Sequence, residues 1–153
     1  MNSGVAKAIR EKWPINFTTY MAHYNQNVTK NNGYNTLLGD VLFVNLNDYE
    51  PKTWPESPII INMVGQFDYG DDGKRYTSYD AFDKCLHRIR SAVPKGSKIA
   101  FPYKIGCDRG GASWEVIYMM IAVILGADYD IEICYLNEDE WLIKYFDVEW
   151  EDK

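Results

Sequence analysis

IGCDRGGASWEVIY, residues 105–118, crowds three glycines, a cysteine and an Asp-Arg pair between an apolar stretch and an apparent helix start. Glycine loses more freedom on ordering than other residues, so such a cluster marks a tight turn or a ligand that approaches the main chain. Upstream, Lys98 to Pro102 reads as a short strand. Downstream, Ser113 to Leu125 reads as a helix whose stripe Trp114, Ile117, Ile121, Ile124 is core packing. A loop between a strand's carboxyl end and a helix's amino end lies at the edge of an α/β sheet where ligands collect. Gly106, Gly110 and Gly111 let the backbone curl, and the first helical amides lack intrahelical acceptors. A diphosphate would meet those donors and the positive end of the helix dipole. The spacing fits neither GxGxxG nor GxxxxGK[ST], so a plain strand-to-helix turn stays open as the alternative.

Working outward, Asn2 or Ser3 caps a helix to about Lys12, stopped by Trp13-Pro14. Residues 15–38 are rich in Asn, Thr and Tyr, show little periodicity and read as short helical turns and loops. VLFVNL after Gly39-Asp40 and IIINMVGQ after a Pro-rich loop read as strands. DYGDDGK, residues 68–74, is a turn cluster. Tyr79, Phe82, Leu86, Ile89 and Val93 recur at helical steps until Pro94-Lys95-Gly96. IEICYL closes the series as a strand. Alternating helices and apolar strands predict an α/β layered domain with helices over a largely buried sheet. Residues 1–153 read as one domain, with 137–153 an acidic, aromatic extension docked on the body by Trp141, Leu142, Tyr145, Phe146 and Trp150. A partner-binding tail is the alternative for that segment.

At 153 residues and 46% hydrophobic, with 15% aromatics, the chain is long and apolar enough for one folded core. Its net charge of −6, with seven carboxylates between Glu138 and Asp152, disfavours nucleic acid and anionic membranes as partners. The longest apolar run, Val116 to Leu125, is too short to cross a bilayer, and the first ten residues do not read as a signal peptide. Cys85, Cys107 and Cys134 are odd in number and widely spaced, and His23 and His87 stand apart. No metal site or cofactor is expected, and free thiols in a cytoplasmic location are.

Three ordered blocks carry a family resemblance: MNSGVAKAIREKWP (1–14), NMVGQFDYGDDGKRYTSYDAF (62–82) and PYKIGCDRGGASW (102–114). Together they resemble macro domains, the ADP-ribose-binding fold, in the small bacterial and phage branch that includes terminal ADP-ribose protein glycohydrolase and ADP-ribose-1″-phosphate phosphatases. The resemblance implies a three-layer α/β/α mixed sheet. It also implies that Ser3, Gly4, Val5 and Ala6 line the distal ribose and diphosphate. Ile105, Gly106, Cys107, Asp108, Arg109 and Gly110 would wrap the diphosphate from the other side. Gly65 and Gln66 would sit near the distal ribose, and Leu136 towards the adenine. The family's usual first strands, one ending in Gly-Asp and one in Asn, would precede Met1. Their absence implies either an internal start relative to the family or a loss of two elements, and an uncovered sheet edge that a homodimer would bury. The glycohydrolase Lys aligns with Gln66 and its Asp with Gly110, which argues against Lys-mediated attack on the sugar.

Chemistry, if there is any, would be hydrolysis at or beyond the distal ribose with water as nucleophile. Asp108 is the carboxylate inside the ligand loop and hence the candidate catalytic base, or else a turn residue bonding its own backbone. Arg109 pairs a phosphate or neutralises Asp108. Cys107 has no histidine nearby in sequence and reads as a small thiol filling the turn. Tyr69 and Tyr76 could cover a ribose or be ordinary turn aromatics. Two functions stay open: a hydrolase of ADP-ribose derivatives (1″-phosphate, ADP-ribosyl or acyl ester), and a non-catalytic ADP-ribose-binding module. A degenerate scaffold with a truncated pocket is the third.

Overall fold

Two consecutive helices, α1 (Gly4–Lys12) and α2 (Pro14–Asn31), open a computed structural model that describes residues 4–31, 37–49, 58–66, 72–107, 109–135 and 144–147. Arg10 and Lys12 in the last turn of α1 favour its negative end. Trp13 breaks the run. Its amide still bonds the Ile9 carbonyl at 2.8 Å, while Pro14, with no amide to leave unpaired, starts the next helix. Up to Asn31, helix α2 corrects the expectation of short helical turns and loops over residues 15–38; residues 32–36 lie outside the described residues. Its polar residues carry no clean period because tertiary partners hold it, and such contacts stabilise most protein helices. Asn16 and Asn62, both buried, exchange reciprocal amide hydrogen bonds of 3.1 and 2.9 Å, and Asn62 Nδ2 also donates to the Leu42 carbonyl. The Arg10 guanidinium lies 3.9 Å from the Phe17 ring centroid.

Strands β1 (Val41–Asn45) and β2 (Ile59–Met63) pair antiparallel, in register from Val41↔Met63 to Asn45↔Ile59. Their side chains alternate between two helical coverings. Leu42, Val44 and Ile60 pack with Leu46 against Ile9, Trp13 and Ile15. Val41, Ile61 and Met63 face the main core instead.

That core is built by helices α3 (Tyr79–Ala92) and α4 (Trp114–Leu125) against β3 (Lys98–Pro102) and β4 (Asp130–Tyr135). Phe82, Leu86 and Ile89 of α3 meet Ile117, Ile121 and Leu125 of α4 over Ile99, Phe101, Ile131 and Ile133. Each such side chain contributes about 1.5–3 kcal/mol by leaving water. Ser78 caps α3, its Oγ accepting the Ala81 amide at 3.2 Å. The two helices run parallel. At one end the Ser113 amide donates to the Tyr79 hydroxyl, and at the other Arg90 pairs with Asp128 at 3.0 Å.

Strands β3 and β4 pair parallel, and β5 (Lys144–Asp147) adds antiparallel to β4. Of the terminal extension only this strand is described; Trp141, Leu142 and Trp150 lie outside the described residues. On the other face of β3–β4, Glu132 is buried but paired to Lys98 at 2.7 Å. The chain is mixed α/β, but its described strands form two small sheets, β1–β2 and β3–β4–β5, where one mixed sheet was expected. Residues 76–78 stitch the sheets together, bonding to Gly65 and Gln66 on one side and Gly110 on the other. Among the described residues no helix is long and apolar enough to cross a membrane.

Candidate functional site

The end of β2 and the loop after β3 converge on one short extended segment, Tyr76 to Ser78. The Ser78 amide donates to the Gly65 carbonyl at 2.8 Å, and Gln66 bridges antiparallel to Thr77. From the other side, the Tyr76 and Thr77 amides both donate to the Gly110 carbonyl, at 2.8 and 2.9 Å. The Thr77 hydroxyl donates to the Gly106 carbonyl at 2.8 Å, and that carbonyl also accepts from Ala112. Thr77 is buried, so its hydroxyl needs a partner, and the loop backbone supplies it.

This packing answers the question posed by three glycines. Gly106 and Gly111 hold positive φ, +74° and +68°. Gly110 is needed for closeness: a Cβ there would collide with the Thr77 hydroxyl and the Gly106 carbonyl and come within 2.9 Å of Gln66 Oε1. A Cβ on Gly111 would run into the Lys74 carbonyl. The chain's own contacts thus require glycine at these positions. Lys104 enters the loop at φ +56°, unusual for a residue with a side chain.

Of the residues expected to bind, Gly65, Gln66, Gly106 and Gly110 are brought together, with Ile105, Cys107 and Arg109 in the same loop. Gly4, Val5 and Ala6 open α1. Among the described residues, the backbone bonds that shape the loop come from Tyr76, Thr77, Cys134 and the loop itself. Ser3, Asp108 and Leu136, and the flanking Tyr69, lie outside the described residues. Among the described residues, no acceptor meets the amides of Gly106 or Gly110.

The amino end of α4 is already supplied with acceptors. The Ser113 amide goes to Tyr79 Oη at 3.0 Å, and Glu115 bonds its own backbone N–H and the Ser113 hydroxyl at 2.8 Å. Its backbone N–H first, then Ser113 and the nearby Lys104 charge, hold the Glu115 carboxyl below the usual range. The helix end where a phosphate was expected is therefore occupied by a carboxylate.

Charge around the loop differs from that of the whole chain. Lys74, Arg75, Lys104 and Arg109 border it. Arg75 lies 4.3 Å from the Tyr79 ring centroid and Lys104 5.4 Å from that of Tyr103. Asp72 sits beside them, tied to the Tyr76 hydroxyl at 2.7 Å and the Lys74 amide at 3.1 Å, and these bonds lower its carboxyl pKa. Tyr103 packs edge-on against Trp114, 5.1 Å between centroids, making an aromatic wall beside the loop.

Cys107 Sγ approaches the Ile105 carbonyl at 3.4 Å, which suits a thiol filling a turn. Both histidines are engaged elsewhere: His23 with Asp40 at 3.1 Å and His87 with Asp83 at 3.7 Å. Among the described residues no His, Cys, Asp and Glu cluster is placed to hold a metal.

Sequence reasoning missed Thr77, the residue that joins both halves. Its signal was faint: a single hydroxyl before a helix cap, indistinguishable in sequence from an ordinary N-terminal polar residue. The chain matches no protein-family model, no curated protein and no solved structure.

Proposed function

We propose that this chain binds ADP-ribose or a derivative of it at the loop after β3, as a macro-domain-like α/β/α module. The observation that supports the reading is the approach of Gln66 to Gly110, whose amide, like that of Gly106, lacks an acceptor among the described residues. Backbone amides hold phosphate without formal charge, and the four basic residues around the loop offset an otherwise acidic chain. The diphosphate rests on the loop amides, and the ribose meets Gln66.

Hydrolysis of a derivative such as ADP-ribose-1″-phosphate is the second reading, resting on Asp108 as the base that activates water. Binding alone is favoured by the engagement of both histidines away from the loop. Calorimetry with ADP-ribose, against AMP and ribose 5-phosphate, tests the first reading: heat is expected for ADP-ribose, and a flat titration sinks it. Phosphate release from ADP-ribose-1″-phosphate, abolished by Asp108→Ala, tests the second.

A further inference from the structure

Beside the glycine loop, Tyr103, Trp114 and Tyr118 pack in a row, with ring centroids 5.1 and 5.8 Å apart and the middle ring seated on the main core. Tyr103, at the end of the row, keeps 36% of its surface exposed. Aromatic rings release much apolar area when covered, and a further ring packs well against them edge-on or offset. Tyr103, Tyr118 and the nearby Arg109 each make further interactions.

The strand ladder says which part of the chain passes there. The Tyr103 amide donates to the Cys134 carbonyl at 2.8 Å, so Tyr103 extends β3 beside the carboxyl end of β4. Strand β5 begins at that same end, with Lys144 paired to Tyr135. The eight residues between, LNEDEWLI from Leu136 to Ile143, must leave and return there. Adjacent strands lie about 4.8 Å apart, so the Tyr103 backbone stands about 10 Å from Lys144 across β4. Trp141 precedes Lys144 by three residues, which span up to about 10 Å. The row is within its reach, and a tether at both ends holds it at high effective concentration.

Charge agrees with the topology. Glu138, Asp139 and Glu140 immediately precede Trp141. Lys104 immediately follows Tyr103, its Nζ lying 5.4 Å from the Tyr103 ring centroid. Among the described residues no carboxylate comes within 4.0 Å of that ammonium, and Glu115 acts on it from farther off. An acidic run thus leaves the sheet next to a cation with room for a counter-charge.

We propose that the exposed end of this aromatic row is the docking surface of the chain's own 136–143 segment, with Trp141 packed on Tyr103 and Trp114 and the preceding carboxylates beside Lys104. The proposal concerns the chain's packing and stands independently of any ligand at the glycine loop.

Digestion of the full chain with a glutamate-specific protease, with cut sites located by mass spectrometry, tests it. Cleavage of a docked segment tracks the fraction that is undocked. The bonds after Glu138 and Glu140 are expected to be cut about tenfold or more slowly than in a synthetic peptide of the same sequence. Tyr103→Ala removes that protection, and Tyr103→Phe keeps it, because the ring makes the contact. Glu132, buried in β4, is the internal control: its bond stays resistant while the chain is folded. Trp141→Ala, compared with a peptide carrying the same change, loses the protection as well, which keeps the test decisive should Tyr103→Ala expose Glu132. Equal rates in the full chain and the peptide overturn the proposal. So does protection that survives Trp141→Ala, or Tyr103→Ala with Glu132 still resistant. Protection that rises with protein concentration also overturns it, since a second copy would then cover the rings.

Discussion

The Thr77 hydroxyl reaches the Gly106 carbonyl at 2.8 Å, and this contact allows a Gly-rich loop to lie flat on the segment beside β2. Gly110 fits beneath it only because it has no side chain. Gly110→Ala is therefore expected to destabilise the fold by about 2 kcal/mol or more, as overpacking against backbone does. Gly73→Ala is the control. Its φ is also positive, +75°, but nothing lies within 4 Å of a Cβ there, so only backbone strain of about 1 kcal/mol is expected. Chemical denaturation of the two variants checks the ordering. Equal losses would mean that Gly110 is present for its dihedral angles and not for the close approach.

The Asn16–Asn62 pair joins α2 to the middle of β2, buried and reciprocal. Replacing either with Leu strands the other amide without its partner, at about 2 kcal/mol. The double variant Asn16→Leu/Asn62→Leu is expected to recover part of that loss, since two apolar side chains leave no amide of this pair unmatched. A coupling free energy of about 1 kcal/mol in a double-mutant cycle is the expected result. Strict additivity would show that the amides do not depend on each other.

What could be read from the sequence follows from how local each signal was. Helices α3 and α4 repeat apolar residues at three and four positions and end at Pro94 and Gly126, so their stripes and stops were legible. The strands β1 to β4 were legible as short, largely apolar runs. Helix α2 was not, because its polar surface lacks a period and its anchors (Asn62, and Asp40 for His23) lie 46 and 17 residues away. The partition into two sheets was also hidden, since strand order depends on edges that no local pattern encodes. At the site, the glycine cluster announced a curled loop but not its cause. The close approach of Thr77 and Gln66 to Gly110 is a long-range fact. The outer stripe of α4 was present in the sequence as Val116, Met119, Met120 and Val123, merged with the core stripe into one apolar run.

Cys85 is fully buried, and loss of water pushes its thiol up to about 11. The sign of the linked effect follows from proton counts. Between about pH 9 and 11 the unfolded chain releases this proton and the folded chain keeps it, so stability falls as pH rises through that window and is intact below it. The loss attributable to Cys85 is up to about 2 kcal/mol. Denaturation midpoints from pH 8 to about 11, compared with Cys85→Ala, check this. The wild-type curve should fall more steeply, and parallel curves would place the thiol in water. In the same vein, a thiol reagent at neutral pH should modify Cys107 and Cys134, both half-buried, well before Cys85.

Lys104 separates strain from function. Its left-handed conformation, φ +56°, costs about 1 kcal/mol for a residue with a Cβ. Lys104→Gly relieves that strain, and the added freedom of glycine in the unfolded chain offsets part of the gain, so stability should rise by up to about 0.5 kcal/mol. Were Lys104 only a surface residue, nothing else would change. If the loop amides hold a diphosphate, removing an adjacent cation should instead weaken ADP-ribose binding by about three- to tenfold at low salt, with the difference shrinking as salt is raised. Lys104→Asn, which tolerates the same backbone but carries no charge, should lose the same affinity. Strain retained at a loop while a more stable residue is available is the pattern expected where a side chain serves a ligand. Calorimetry on both variants decides it: unchanged affinity in the two would remove Lys104 from the ligand's surroundings and leave its backbone angle as a feature of the turn alone.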